Sequence, residues 1–141
     1  MKSLRTVIQG LPAKLVGAHA TSLPLIMKLR YEPSDPYVVH VAFTTDGDSD
    51  ELVEWIIGRD LLIDGLEGPA GEGDVRIWPT GEEGWRDLYI LLNPPSGSAL
   101  LKAPAQEFKA FLQETEAVVP RGAELGHSDI DRLLAHFLAE G

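Results

Sequence analysis

The densest run of potential metal ligands is Asp46-Gly47-Asp48-Ser49-Asp50-Glu51, in which Asp46, Asp48, Asp50 and Glu51 supply carboxylates. Closely spaced carboxylates are what a calcium loop uses, but such a loop also needs glycine at position six and glutamate at position twelve. Counted from Asp46, those positions hold Glu51 and Ile57. The run therefore reads as a solvated hairpin loop. Together with Glu82 and Glu83 it forms a candidate docking surface for a partner.

Gly71-Glu72-Gly73-Asp74-Val75-Arg76 begins like a dinucleotide fingerprint. That motif needs a third glycine where Arg76 stands, and it must lead from a strand into a helix. This segment leads into a strand, and Glu72 and Asp74 would repel a phosphate. Gly73-Asp74 fits a turn that launches the next strand.

No other group assembles into a reaction centre. The chain has no cysteine, so a thiolate nucleophile, a disulfide and a zinc–sulfur site are excluded. The histidines His19, His40, His127 and His136 have no metal-ligand spacing, and no serine lies in a G-x-S-x-G elbow. Arg59-Asp60, at the start of a short helical pattern, reads as a structural ion pair or cap. Trp55, Trp78 and Trp85 could stack nucleic-acid bases, but Glu54, Asp74, Glu82, Glu83 and Asp87 crowd the same segments. Core or interface packing suits these aromatics better. A small-molecule site built from scattered carboxylates stays open.

The elements that would carry these residues are legible from hydrophobic periodicity. At 141 residues with 44% hydrophobic residues, one domain with a buried core is expected. Leu23, Leu25, Met27, Leu29 and Tyr31 alternate with exposed-type neighbours, as do Tyr37, Val39, Val41 and Phe43. Period two marks two strands, and Pro33 to Pro36 joins them as a hairpin. Ala13 to Ala18 adds an earlier strand, and Leu52 to Ile57 a third member of the sheet. Gly58 then breaks the run, and Leu61, Leu62 and Leu66 share one face of a short helix that Gly65 weakens.

Glu67 to Asp74 reads as a loop. Val75 to Pro79 pairs with Trp85 to Leu92, and Ser98 to Ala103 adds a short strand. Pro104 suits the first position of a helix carrying Phe108, Phe111, Leu112 and Thr115, which Pro120 and Gly122 end. Ser128 caps a last helix with Ile130, Leu133, Leu134, Phe137 and Leu138 on one face. Strands first and helices last give an α+β class.

The net charge is −10, yet Met1 to Tyr31 carries five bases and no acid. An acidic body disfavours nucleic acid and anionic membrane at long range. Gln9, Pro12 and Lys14 interrupt any apolar run near the start, which argues against a signal peptide. No stretch is long and apolar enough for a membrane span. A cytoplasmic protein without membrane insertion is expected.

Many short motifs, in order, resemble the SsgA-like family of actinobacterial sporulation and cell-division regulators. They include Leu29-Arg30-Tyr31, Asp35-Pro36-Tyr37, Val53-Glu54-Trp55, Arg59-Asp60-Leu61-Leu62, Gly65-Leu66, Gly73-Asp74-Val75-Arg76, Trp78-Pro79, Ala103-Pro104-Ala105 and Val119-Pro120. The resemblance divides the chain into an arm over 1–20, a family core over 21–120 and a C-terminal helix over 121–141. It implies a whirly-like fold, with antiparallel sheets packed crosswise and helices at the end, assembled as a homotrimer. It also implies a protein that marks septum sites during sporulation, recruits the tubulin-like protein FtsZ and works with other SsgA-like proteins. No catalysis and no cofactor are implied. Whirly proteins elsewhere bind single-stranded nucleic acid, so such a module is the alternative. Relatives often carry a longer segment after Trp78-Pro79 than the acidic turn Thr80 to Gly84 found here.

Overall fold

A computed structural model of the chain describes residues 5–17, 21–44, 52–82, 86–95 and 97–125. The strands are β1 (Val7–Val16), β2 (Ser22–Tyr31), β3 (Val38–Thr44), β4 (Leu52–Gly58), β5 (Ala70–Glu72), β6 (Val75–Thr80), β7 (Asp87–Leu92) and β8 (Ala99–Pro104). Helix α1 (Arg59–Glu67) follows β4, and α2 (Ala105–Val118) follows β8. The strands form one sheet in the order β4-β3-β2-β1-β8-β7-β6-β5, every neighbouring pair antiparallel. Two four-stranded meanders thus meet at β1. That joint is narrow: β1 pairs with β2 along its length but with β8 only at Lys14, Leu15 and Val16.

Alternation assigns the faces. Leu11 and Ala13 of β1, Leu25 to Tyr31 at odd positions of β2, and Val39, Val41 and Phe43 of β3 are buried together. The same inner layer receives Ile77, Leu88, Ile90, Leu92 and Leu101 from the second meander. Both helices lie on this side. Phe108, Phe111 and Leu112 of α2 and Leu62 of α1 are buried, each side chain gaining roughly 1.5–3 kcal/mol from leaving water.

Several expectations are revised by the sheet. The segment read as an arm contains β1 from Val7, a strand paired on both sides. Glu67 to Asp74 is not all loop, because Ala70 to Glu72 pairs with β6. Gly73, at φ 58°, turns that hairpin in two residues, a conformation that glycine adopts without the side-chain clash of other residues. Pro104 ends β8 in extended conformation, and α2 begins one residue later. Gly65 does more than weaken α1. A Cβ there would lie 2.8 Å from Ile77 Cβ and closer still to its Cγ2, so glycine lets α1 sit against β6. The helix expected over Ser128 to Leu138 lies outside the described residues.

Candidate functional site

Arg59 is the largest fully buried side chain, with only 1% exposure. Burying a guanidinium requires its donors to be met. Its Nη1 donates to the Thr115 and Val119 carbonyl oxygens at 3.3 and 2.6 Å, closing the end of α2. Its Nη2 donates to Glu124 Oε1 at 2.6 Å. The guanidinium carbon lies 5.0 Å from the centre of the Tyr31 ring, over its face. Nε is buried without a hydrogen-bond partner.

The electrostatics follow from this geometry. Burial raises the Glu124 carboxyl, but the Arg59 hydrogen bond and the Gly122 backbone N–H outweigh it, so its pKa is lowered. Burial pushes the Tyr31 hydroxyl up to about 12 despite the opposing charge of Arg59. That hydroxyl donates to the Pro36 carbonyl at 3.0 Å. Apart from Arg59 Nε, the polar groups of the cluster meet one another or nearby backbone, which suits a structural clasp.

Asp60 does not pair with Arg59. It is exposed, and its Oδ1 accepts from Arg121 Nε at 2.9 Å, while Asp64 accepts from Arg121 Nη2 at 2.9 Å. The Asp64 hydrogen bond is the main reason the Arg121 pKa is raised. Two arginines therefore tie α1 to the segment after α2. Sequence reasoning named Arg59 and Asp60 but missed Tyr31, Thr115, Arg121 and Glu124. Their separation along the chain left no local spacing signal.

The other motif residues serve packing and turns. Trp55 and Leu61 lie partly buried against the core, and Leu62 is fully buried. Asp74 is exposed in the β5–β6 turn, where its carbonyl accepts from Asn93 N at 2.8 Å. Pro79 is half-buried opposite Leu88. Trp78 stacks on Tyr89, its cross-strand partner, with ring centres 5.6 Å apart and planes at 6°. Lys102 then caps the Tyr89 ring at 5.8 Å and reaches Asp87 at 3.5 Å. Glu82 is exposed. Asp46, Asp48, Asp50, Glu51 and Glu83 lie outside the described residues.

Among the described residues, no group of three or more His, Asp or Glu could hold a metal ion. No described helix is long and apolar enough to cross a membrane. Of the histidines, His40 is described in an ionic group: its Nδ1 lies 2.8 Å from Glu54 Oε1, and Arg30 lies 3.8 Å from the same oxygen and also pairs with Glu32. Concavities among the described residues include an apolar cleft of about 570 Å³ where β1 leaves β8, lined by Pro12, Pro24 and Pro104, and a groove between the helices.

A continuous antiparallel sheet with two helices on one side defines a single-domain α+β protein. The comparisons sharpen that class. The family described as "SsgA: Streptomyces sporulation and cell division protein, SsgA" matches residues 25–124, and the chain belongs to it. It is 47% identical over 135 residues to sporulation-specific cell division protein SsgB of Streptomyces coelicolor, covering 96% of this chain and 97% of that one. It is 42% identical over 126 residues to SsgB of Salinispora tropica, covering 89% of this chain and 88% of that one. Solved structures agree. One of Streptomyces coelicolor SsgB, whose mutations correlate with longitudinal cell division during sporulation, gives a TM-score of 0.81 at 44% identity, covering 90% of this chain and 98% of that one. The SsgA-like protein of Thermobifida fusca gives 0.84 at 35% identity, covering 97% and 98%. A role in cell division follows for this chain.

Proposed function

We propose that this protein is a non-catalytic adaptor of sporulation septation that marks septum sites and recruits FtsZ. The observation that carries this reading is identity of 47% across nearly the whole chain to a sporulation-specific division protein. The buried Arg59–Glu124 ion pair supports it, because each charge is taken up by the other as a tie between α1 and the segment after α2. In this reading the protein is cytoplasmic, gathers at the division septum without inserting in membrane, and acts as a homotrimer with other SsgA-like proteins. The narrow β1–β8 joint supports the whirly-like reading, in which the two meanders pack crosswise. Co-sedimentation with purified FtsZ polymers tests recruitment: the protein should enter the pellet with them. Protein left in the supernatant at every FtsZ concentration removes the recruitment role.

A second reading, binding of single-stranded nucleic acid, has one feature in its favour. Trp78, Tyr89, Lys102 and Lys14 form a cross-strand row of aromatic and basic side chains. Stacking platforms for bases are built this way. A gel shift with single-stranded DNA at low salt distinguishes the readings. A shift that weakens steeply with salt supports binding, and no shift at low salt ends it.

A further inference from the structure

The ladder between β1 and β8 stops where two prolines would meet. Its pairs run Val16↔Leu100, Leu15↔Leu101 and Lys14↔Lys102. In the same register the next pairs would be Ala13 with Ala103 and Pro12 with Pro104. Proline has no N–H to give to a ladder, so this pairing cannot continue in the usual way. The strands part, while each keeps its other neighbour: Pro12 stands opposite Ile26 on β2, and Pro104 opposite Asp87 on β7.

The parting opens a cleft of about 570 Å³. Small-molecule sites span about 300–1,000 Å³ and are mostly apolar, with a few convergent polar groups. The floor here is Ala13, Leu25 and Ala103, all buried. Pro12, Pro24 and Ile26 stand on one side and Pro104 on the other. Ile26 is 65% exposed, so the slot ends on an aliphatic side chain left in water.

The positive charges sit at the closed end. Lys14 and Lys102 face each other across the last pair of the ladder, where like charges repel. Asp87 meets Lys102 at 3.5 Å, and Lys102 also lies over the Tyr89 ring. Lys14 forms no ion pair with any described residue. Of the three charged groups lining the cleft, two are positive and one is negative. One positive charge is therefore left over at the head of an apolar slot.

We propose that this cleft binds one molecule of a medium-chain fatty acid, its carboxylate between Lys14 and Lys102 and its chain along the proline-lined slot towards Ile26. A single carboxylate matches the single uncompensated charge and relieves the repulsion between the two lysines. The hydrocarbon chain needs no hydrogen bonds, which suits walls in which Pro12, Pro24 and Pro104 carry no N–H. A phosphate, with more charge and no apolar body, would meet Asp87 and leave the floor uncovered. The site is separate from the adaptor role and does not depend on it.

The test titrates sodium octanoate into the full chain by calorimetry, below the concentration at which octanoate forms micelles, with 1-octanol as the uncharged control of equal length. The native chain should bind one octanoate saturably and octanol more weakly. Lys14→Gln should weaken octanoate about fivefold, as loss of a rim ion pair does, and leave octanol unchanged. Lys14→Arg should retain octanoate binding, and Ile26→Asp should weaken both ligands. Lys14 and Ile26 are exposed, so the melting temperatures of the ligand-free variants should match the native one. No saturable binding to the native chain overturns the site. So does octanol bound as tightly as octanoate, or several octanoates per chain that no variant affects. Equal weakening of both ligands by Lys14→Gln would show that the lysine acts through the fold and also overturns the proposal.

Discussion

Arg59 and Glu124 meet at 2.6 Å in the interior although 65 positions separate them. Arg59 opens α1, and Glu124 follows the turn that Pro120 to Gly122 makes after α2. Consecutive helical side chains point about 100° apart, so Arg59 faces the core while Asp60 faces outward to Arg121. The two neighbours divide the work of holding one segment, from its buried and its exposed side.

Arg59→Met should therefore cost about 3–5 kcal/mol, because it leaves a buried carboxylate without its cation and the Val119 carbonyl without the guanidinium donor. Urea unfolding of the purified variant measures this. Asp60→Ala should cost less than about 1 kcal/mol, since its pair is exposed. Equal losses in the two variants would contradict the clasp.

The clasp sets a pH window. Glu124 has a lowered pKa in the folded chain, so its contribution is present above the ordinary value of 4.5 and is lost as pH falls through the folded pKa. Tyr31 has a raised one, so its contribution is full below 10 and is lost as pH rises toward about 12. Melting temperature against pH should show both shoulders. Glu124→Gln should flatten the acid one and Tyr31→Phe the alkaline one.

Gly65→Ala should destabilise by about 1–3 kcal/mol through overpacking, although alanine improves helix propensity by about 1 kcal/mol. Ile77→Ala should cost about 2–5 kcal/mol alone as a cavity. The double variant should lose less than the sum, because removing Ile77 Cγ2 relieves the nearer of the two clashes with the new Cβ. Strict additivity in denaturant melts would show that the helix–strand approach is not the cause.

The Trp78–Tyr89 stack should show a coupling of about 0.5–1.5 kcal/mol in a double-mutant cycle with Trp78→Ala and Tyr89→Ala. Zero coupling would mean that the rings separate in solution.

The period-two runs stand in the sheet from Leu25 in β2 and Val39 in β3, because alternation is a property of each strand alone, whereas Leu23 and Tyr37 at their starts are exposed. The same holds for the α1 and α2 faces and for the Gly73-Asp74 turn, which follow from helical spacing and from glycine's freedom at positive φ. The acidic run from Asp46 to Glu51 was legible only as composition and lies outside the described residues. Strand β5 was hidden because a strand of three residues carries no periodic signal.

What the tertiary structure decided is who meets whom. Period could not tell that β1 pairs with β8 to join the two meanders, that Gly65 is needed for contact with Ile77, or that Arg59 takes Glu124 and leaves Asp60 to Arg121. It also decided that Lys14, Lys28, Arg30, Arg76 and Lys102, scattered along four strands, share the outer face of the sheet. Local pattern reports which side of its own element a residue occupies. Pairings between distant elements depend on the closed topology, and no spacing along the chain encodes them.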